Sequence, residues 1–450
     1  MLIKNGEFEL SLERKHRTTE NDHLSIHGAD LADLCDTYGT PLFAFDEPRI
    51  RENYQRFYTA FERHYPKVAV CYSVKTTNNL AICKTLKDEG AYAEVGSGLD
   101  FHIAQKVGFS PERTVVDGLY KPEAVLRKAI SDEVLIINVE SFAELELIDK
   151  IAKELGKKQS IGIRITTTAH KLLNPENLYC NPLSRFGFSI EDTDVVFRKA
   201  LKLDNVEVAG VMIHPYWGIH WFLPLVKHIQ TDLGVKIRFI NFGGGFEKPG
   251  TRKIGITDLG KDYLRQKLGL ESKLESAGTK KIREIEQAGK LIGEEVKATL
   301  GNADSTIVFE PGRYLVHDAG ILLLRVSVVK NASGFKWVVV DGGVNLNSDW
   351  LERREIQLVN RMSAPKTEIV NVVGPLLFAR DFVTIKQKLP EIQVGDILAV
   401  FNSGAYTLSN STQFLCPRPS AVLIKENGQV SEIRERETYD DVTRMDRLYE

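Results

Sequence analysis

The sequence predicts an α/β fold, in which a closed barrel of eight strand–helix units is followed by an antiparallel β domain. Between Val68 and Arg313, eight short apolar runs alternate with segments of helical pattern. Most of these runs are continuously apolar, which is typical of parallel strands covered on both faces. After Ile321, helical pattern is scarce, and strand patterns separated by Gly, Asn, Asp and Pro follow one another.

The eight apolar runs are the predicted barrel strands. They are residues 68–75, 92–97, 114–118, 133–140, 160–165, 206–214, 235–245 and 306–313. The segments between them are amphipathic, as in the helical pattern that follows Ser141. Eight such units are the number that closes a TIM-type (β/α)8 barrel. A doubly wound open sheet is the alternative, and the number of units favours the barrel.

The two ends of the chain predict a second domain. The C-terminal region contains strand patterns such as ILLLRVSVVK and KWVVVDGG, and Asn427 and Gly428 mark a tight hairpin. The N-terminal segments NGEFEL and HLSIHG are also strand-like and could complete this domain. We therefore predict N-terminal strands at 1–40, a barrel at 41–316 and a β-barrel or sandwich domain at 317–450.

Composition limits the classes of partner. Of 450 residues, 59 are Lys or Arg and 61 are Asp or Glu, and this balance argues against a nucleic-acid partner. No apolar run reaches the roughly 18 residues of a membrane span, and the N-terminus lacks the apolar core of a signal peptide. Five scattered cysteines argue against a disulfide framework or a zinc site. We predict a cytoplasmic protein without a metal or a membrane partner.

Ionisable residues, a serine or glycines lie at the end of almost every predicted barrel strand. In a (β/α)8 barrel, the active site lies at the C-terminal ends of the strands. So many such residues in one register are hard to explain as solvation alone. In chain order they are Lys75, Glu94, Ser97, Asp117, Glu140, Arg164, His214, Gly243, Gly244, Gly245, Glu310, Gly312 and Arg313.

These residue types suggest a cofactor. A lysine that closes an apolar strand suits Schiff-base chemistry, although Lys75 could also be a strand-end lysine that reaches solvent. Three successive glycines let the backbone approach an anion, and Arg313 could bind the same phosphate. Glu310 follows an apolar strand and needs a cationic partner. With His214 as a stacking ring, the set matches pyridoxal phosphate.

The sequence resembles the fold type III pyridoxal-phosphate decarboxylases, and within them the diaminopimelate decarboxylases most closely. The similarity covers nearly the whole chain, and its motifs occur in the family's order. They are YGTPLFAFDEPRIRENY at 38–54, YSVKTTNN at 72–79, SRFGF at 184–188, FGGGF at 242–246, EPGR at 310–313, GAY at 404–406 and RERETYDDV at 434–442.

The resemblance implies an alanine racemase-like barrel, a β domain that takes in N-terminal strands, and a homodimer with shared active sites. It implies that Lys75 forms the Schiff base, with Glu94 behind it where the family usually has Asp. His214 would stack on the cofactor, and Glu310 would pair with its pyridine nitrogen. The phosphate would be bound by Gly243, Gly244, Gly245, Gly312, Arg313 and the Tyr406 hydroxyl. Arg185 would pair across the dimer with Asp381.

Departures from the family pattern fall mainly on the substrate side. Where the family has His-x-Gly-Ser, the sequence has Tyr216 and Trp217 in the last two positions, so the serine that helps to hold the phosphate in the family is missing. Where the family has Cys-Glu before Ser-x-Asp, it has Leu377 and Phe378. Asp349 stands near the position of an arginine that binds a distal carboxylate. The resemblance therefore implies altered substrate specificity, with Tyr216 and Trp217 either facing the substrate or packing the barrel rim.

We interpret the protein as a pyridoxal-phosphate-dependent decarboxylase of an amino acid, free, conjugated or tethered to a carrier. Without the family's cysteine, the candidate proton donors are Lys75, His214, Tyr216 and water. A racemase or other carbanion chemistry is the second hypothesis, and Glu310 argues against it, because racemases of this type place arginine at the pyridine nitrogen. The third hypothesis is a cofactor-binding homologue that has lost catalysis.

Overall fold

The fold is described from a computed structural model. It covers residues 17–166, 185–248, 252–253, 256–268, 270, 283–301, 304–349 and 352–449. The chain divides into two units. The barrel unit comprises Arg51–Glu247 and Arg283–Leu315, and the β unit comprises Met1–Ile50, Lys248–Ile282 and Val316–Glu450.

The strands in chain order are β1 Arg17–Glu20, β2 His23–Ile26, β3 Ala29–Asp30, β4 Leu42–Asp46, β5 Val68–Ser73, β6 Tyr92–Val95, β7 Thr114–Val116, β8 Ile136–Val139, β9 Gln159–Thr166, β10 Phe188–Ser189, β11 Val206–Met212, β12 Phe239–Asn241, β13 Arg252–Lys253, β14 Thr306–Phe309, β15 Gly320–Ala332, β16 Phe335–Val340, β17 Glu352–Arg353, β18 Ile356–Leu358, β19 Glu368–Val373, β20 Phe382–Leu389, β21 Ile397–Val400, β22 Ser420–Ile424 and β23 Val430–Arg434.

The helices in chain order are α1 Leu31–Tyr38, α2 Glu47–Glu62, α3 Leu80–Asp88, α4 Gly98–Val107, α5 Glu123–Ser131, α6 Phe142–Glu154, α7 Thr193–Ala200, α8 Ile219–Thr231, α9 Ile256–Lys267, α10 Ile285–Leu300, α11 Arg313–Val316 and α12 Tyr439–Thr443. Short 3-10 turns lie at Val74–Thr76, Pro111–Arg113, Ile190–Asp192, Tyr216–Gly218 and His317–Ala319. Among the described residues, no helix is long and apolar enough to cross a bilayer.

Eight parallel strands close into a barrel, as predicted. Their order is β5, β6, β7, β8, β9, β11, β12 and β14, and the pairing of β14 with β5 closes the ring. β10 adds two residues beside β9. Each of the eight apolar runs overlaps one barrel strand, and the closed ring excludes the doubly wound alternative.

The barrel is filled by apolar side chains, and helix caps fix where its strand-to-helix loops turn. Cys71, Val115 and Ala209 belong to a buried cluster drawn from different strands. Ser97 and Ser141 accept N–H groups of the first turns of α4 and α6 through their side chains. Such caps satisfy helix N–H groups that have no partner within the helix. They hold the residues just before them at fixed positions on the C-terminal side of the barrel.

The β unit contains a mixed sheet. Its main order is β20, β19, β16, β15, β4, β22 and β23, with β21 and β18 joined to β15. The pairs β16–β19 and β22–β4 are parallel, so the sheet is not purely antiparallel. Leu42, Leu323 and Val422 lie in its buried core.

The N-terminal contribution to the β unit differs in detail from the prediction. β2 lies in the predicted HLSIHG segment, but it pairs with β1 and β3 in a separate small sheet. The strand that enters the large sheet is β4, at Leu42–Asp46, which the sequence analysis assigned to the barrel. NGEFEL lies outside the described residues. The domain boundaries at 40 and 316 otherwise stay a prediction.

A buried ion cluster stabilises the β unit. The Asp318 carboxylate accepts hydrogen bonds of 2.6 Å from Nη2 of Arg49 and 2.5 Å from Nζ of Lys248. The side chains of Asp318 and Lys248 are only 6% and 9% exposed. Burial raises the pKa of Asp318, but the charges of Lys248 and Arg49 outweigh burial and hold the pKa well below its ordinary value. Each buried charge therefore depends on the others for compensation.

Candidate active site

Lys75 lies just after the first barrel strand, in the 3-10 turn Val74–Thr76. Its Nζ donates hydrogen bonds of 2.6 Å to Oε2 of Glu94 and 2.7 Å to Oγ of Ser73. Ser73 also donates to the same Glu94 oxygen. The Glu94 side chain is 1% exposed, whereas the Lys75 side chain is 52% exposed. A buried carboxylate thus holds an amine that remains accessible from solvent.

The carboxyl groups of Glu94, Asp117 and Glu310 are buried at this end of the barrel. Burial raises the pKa of Glu310 well above its ordinary value, and the charges of Asp117 and Glu94 raise it further. Burial and the charge of Glu94 also raise the pKa of Asp117. In Glu94, burial is outweighed by the charge and hydrogen bond of Lys75, so the pKa is lowered. Acids buried together favour a cation beside them.

Asn241, the last residue of β12, joins Glu310 to the glycine loop, which we define as residues 243–245. Its Nδ2 donates to Oε1 of Glu310 at 2.6 Å, and its Oδ1 accepts the N–H of Gly243 at 2.8 Å. The N–H of Glu310 donates to the Gly243 carbonyl oxygen at 2.9 Å. The ends of the seventh and eighth barrel strands are therefore fixed to each other.

The glycine loop has a backbone conformation that disfavours other residues. The φ angles of Gly243 and Gly245 are +61° and +89°, in the left-handed region. A Cβ atom added at Gly244 would lie 2.7 Å from the carbonyl oxygen of Glu310. The N–H of Gly244 donates to Nδ1 of His214 at 3.1 Å. The phosphate contact predicted for Gly244 stays a prediction.

His214 is neutral above moderately acidic pH. The residue is exposed to solvent, yet the protein atoms crowded around the ring lower its pKa, and the charges of Arg164 and Lys75 lower it further, to about 4. A neutral ring is consistent with Nδ1 acting as the acceptor for Gly244. His214 therefore presents an uncharged aromatic ring next to the glycine loop.

Gly312 and Arg313 follow the eighth barrel strand, and Arg313 begins α11. A Cβ atom at Gly312 would lie 3.0 Å from Cβ of Thr76 and would collide with the Thr76 hydroxyl. Glycine at 312 thus lets the end of the eighth strand approach the turn that carries Lys75. Arg313 is the next residue along the chain.

Tyr216 and Trp217 pack on the end of the glycine loop. The Tyr216 ring is stacked on Phe246, with ring centroids 4.2 Å apart and ring planes 4° apart. A Cβ atom at Gly245 would lie 2.8 Å from Cβ of Pro215 and 3.1 Å from Cζ3 of Trp217. Of the two interpretations given above, these contacts favour packing at the rim, because Phe246 covers one face of the Tyr216 ring.

Arg164 and Glu140, at the ends of two neighbouring strands, form a buried pair. Nη1 of Arg164 donates to Oε1 of Glu140 at 2.6 Å, and the Gly187 N–H donates to the other oxygen at 2.6 Å. The guanidinium groups of Arg164 and Arg185 lie 4.6 and 4.9 Å from the centroid of the Phe186 ring. Glu140 therefore fixes the backbone at Gly187, two residues after Arg185.

The remaining predicted site residues belong to the β unit. Leu377 is 92% exposed and Phe378 is 49% exposed, which is unusual for large apolar side chains. Tyr406 is half-buried and has a positive φ of 56°. These residues present apolar surface and a phenol where the resemblance implies a site shared with a second subunit.

Asp381 is buried in a loop of the same unit. Its Oδ1 accepts the N–H of Val344 at 2.8 Å, and its Oδ2 accepts the N–H of Leu376 at 2.7 Å. Both oxygens are therefore engaged within the unit, and the predicted pairing with Arg185 of a second subunit stays a prediction.

Comparison with known proteins agrees with this geometry. The family profile described as "Pyridoxal-dependent decarboxylase, pyridoxal binding domain" matches residues 48–317. The chain belongs to the pyridoxal-dependent decarboxylase family. This family assignment establishes a carboxy-lyase with a pyridoxal-phosphate-binding domain and the diaminopimelate decarboxylase-like character that the motifs predicted.

Relatives match over nearly the full length. The chain is 32% identical to the diaminopimelate decarboxylase of Methanothermobacter thermautotrophicus, over 94% of this chain and 96% of the relative. It is 30% identical to that of Aquifex aeolicus, over 93% and 94%. The crystal structure of diaminopimelate decarboxylase from Methanocaldococcus jannaschii matches with a TM-score of 0.85 and 27% sequence identity. The match covers 97% of this chain and 99% of that chain.

The residues at the barrel end fit the family's cofactor, pyridoxal phosphate. Lys75 is an accessible amine, and Oε1 of Glu94 is buried without a hydrogen-bond partner among the described residues. Glu310 is a buried carboxyl group that a pyridinium would compensate. The glycine loop and Arg313 suit the phosphate. No cluster of metal-binding side chains occurs within the described ranges.

Three polar residues of the site were missed by the sequence analysis. Ser73 bonds to both Lys75 and Glu94, Asn241 bonds to Glu310, and Nδ2 of Asn138 donates to Oδ1 of Asp117 at 2.6 Å. All three are polar residues within otherwise apolar strand runs. A polar residue that interrupts an apolar strand run is the signal by which these residues could have been found.

Proposed function

We propose that this enzyme decarboxylates an amino acid, or an amino-acid derivative, other than diaminopimelate. Buried Glu310 is the observation that carries the reaction type. Bound pyridoxal phosphate supplies an electron sink for the electron pair left by the departing CO2. A carboxylate at its ring nitrogen would hold a proton there and strengthen that sink. A racemase would instead be expected to weaken it, so Glu310 disfavours the racemase hypothesis.

The roles of the other barrel residues follow from their chemistry. Lys75 would hold the cofactor aldehyde, be displaced by the substrate amine and later release the product. Ionised Glu94 keeps the Lys75 amine oriented. Neutral His214 would cover the cofactor ring without adding positive charge. The glycine loop, Gly312 and Arg313 would bind the phosphate, and Tyr406 would add a hydroxyl from the β unit.

The proposal of altered substrate specificity is supported by apolar residues that stand where the family motif has polar ones. Leu377 and Phe378 stand where the family motif has cysteine and glutamate. A second charged substrate end placed against apolar side chains loses hydration without gaining hydrogen bonds. Relatives crystallised with L-lysine share the fold, at 26–27% identity. We expect the substrate of this chain to have a bulkier or less charged distal end.

A homodimer with shared active sites is part of the proposal. The support is the family resemblance and the exposure of Leu377 and Phe378 in the β unit. In a dimer, these side chains would be covered by the barrel unit of the second copy, as expected for large apolar groups.

The test is release of CO2 from a panel of L- and D-amino acids and their amide or acyl derivatives by the purified, cofactor-loaded protein. The proposal predicts CO2 and the corresponding amine from at least one panel member. Isomerisation of substrate without CO2 release would favour a racemase. Cofactor binding without any turnover across the panel would favour the non-catalytic homologue.

A further inference from the structure

Tyr216 and Trp217 replace the last two residues of the family's His-x-Gly-Ser motif, and both pack on the end of the glycine loop. We propose that they are positioning residues that hold the glycine loop in a conformation suited to the cofactor phosphate. This inference rests on the proposed assignment of the phosphate to that loop. It gives the aromatic pair a function in cofactor binding rather than in substrate selection.

Trp217 acts on the loop through Gly245. The Cζ3 and Cη2 atoms of its ring would lie 3.1 and 3.3 Å from a Cβ at Gly245, and Cβ of Pro215 would lie at 2.8 Å. The indole and the proline therefore lie directly against the Gly245 backbone. The φ angle of Gly245 is +89°. Because glycine adopts other backbone conformations easily, packing against Gly245 helps to keep it in this one.

Tyr216 contacts Phe246, the residue that directly follows the glycine loop. Its stacking partner Phe246 is buried and makes edge-to-face contacts with Phe57 at 4.9 Å and Phe309 at 5.6 Å between ring centroids. Tyr216 thus completes an aromatic cluster of the barrel unit around Phe246. Aromatic contacts of this kind stabilise the packing beyond the gain from burying apolar area.

The loop is also fixed at its start. Gly243 is bonded to Asn241 and Glu310, and Gly244 is bonded to His214. Three successive glycines lose more conformational entropy on ordering than any other residues would. Packing that orders them before the ligand arrives therefore strengthens ligand binding. In this chain, Tyr216 and Trp217 order the glycine loop by packing, whereas the family motif has a serine hydroxyl that helps to hold the phosphate.

The experiment is titration of the full-length apoprotein with pyridoxal phosphate and, separately, with pyridoxal, which lacks the phosphate. The readout is the ratio of the two dissociation constants. Tyr216→Ala and Trp217→Ala should each lower the preference for the phosphorylated ligand on the order of tenfold and leave pyridoxal binding nearly unchanged. Tyr216→Phe keeps the stacked ring and should keep the wild-type ratio. Tyr216→Leu replaces the alanine variant if that variant does not fold.

Trp221→Ala is the matched control, because its indole lies against Gly218 and Phe222 in the same connection. It should keep the wild-type ratio. An unchanged ratio in both Tyr216→Ala and Trp217→Ala, or equal weakening of both ligands, overturns the inference. If the wild-type protein binds the two ligands equally tightly, the phosphate assignment of the loop fails, and the inference fails with it.

Discussion

Nζ of Lys75 lies 2.6 Å from Oε2 of Glu94, so an accessible amine is tied to a fully buried carboxylate. The pKa of Glu94 is lowered because the charge and hydrogen bond of Lys75 outweigh the burial of the carboxyl group. Glu94 therefore stays ionised and holds the lysine in place. The pair explains why a strand-end lysine has one defined position rather than several solvated ones.

Replacing Lys75 should remove covalent attachment of the cofactor. We expect Lys75→Ala to lose the absorption band of the lysine-bound cofactor and all turnover. After borohydride reduction of the wild-type protein, peptide mass spectrometry should find the cofactor on Lys75. Lys84→Ala, which removes an exposed lysine paired with Asp88, should behave as wild type. Attachment of the cofactor to another lysine would contradict the assignment.

Replacing Glu310 by Gln should impair chemistry more than cofactor retention. The amide cannot provide the negative charge that keeps a ring nitrogen protonated, and we expect turnover to fall roughly 100-fold. Glu310→Asp keeps the charge and should lose less. Turnover is measured on whichever substrate the panel identifies, with bound cofactor determined in parallel. Wild-type turnover in Glu310→Gln would show that the carboxylate is not needed.

Removing the Asp318 charge should destabilise the fold. Asp318→Asn removes the carboxylate to which both Arg49 and Lys248 donate, so the free energy of unfolding should fall by about 3 kcal/mol. Asp304→Asn breaks the exposed pair with Lys67 and should leave the free energy of unfolding nearly unchanged. Denaturant unfolding at pH 7 measures both values, and equal effects would contradict the argument.

The same carboxylate should make stability depend on pH. Because the pKa of Asp318 is lower in the folded chain, the unfolded chain binds more protons between the two pKa values, and acid favours unfolding. This contribution is complete above the unfolded pKa of about 4 and is lost as the pH falls below it. Wild type should therefore lose stability more steeply than Asp318→Asn in this range. Parallel pH profiles of the two proteins would contradict the linkage.

Mixing two inactive variants should restore activity if the sites are shared. Lys75→Ala changes the barrel unit, and Tyr406→Ala changes the β unit. In a randomised mixture, half of the dimers are hybrids with one intact site, so activity should reach about a quarter of the wild-type value. A mixture of Lys75→Ala with Glu310→Gln, both in the barrel unit, should not recover. The absence of recovery in the first mixture would indicate sites built from one subunit.

The barrel could be predicted from the sequence because both faces of its strands are covered. Continuous apolar runs such as 68–75 and 306–313, separated by helical patterns, are typical of buried parallel strands. The pattern does not specify the sheet that a given run joins. Leu42–Asp46 is as apolar as a barrel strand, but it pairs with β15 and β22 in the β unit.

The positions of the ionisable groups could also be predicted, since each group lies near or just after the end of a strand. The connections between those groups could not. Asn241 lies within a run that was read as a strand, so its role was not predicted. Its amide joins Glu310 to Gly243. The packing of Tyr216 on Phe246 depends on two loops meeting in space, and sequence spacing carries no information on that contact.

The most direct test of the central claim is the specificity constant for meso-diaminopimelate, measured by CO2 release and lysine formation alongside the amino-acid panel. Leu377 and Phe378 offer no partner for a second charged end, so we expect little or no turnover of meso-diaminopimelate and efficient decarboxylation of a substrate with a bulkier or less charged end. A kcat/KM for meso-diaminopimelate of about 10⁴ M⁻¹s⁻¹ or more, the ordinary range for enzymes, would contradict the account and identify the chain as a diaminopimelate decarboxylase.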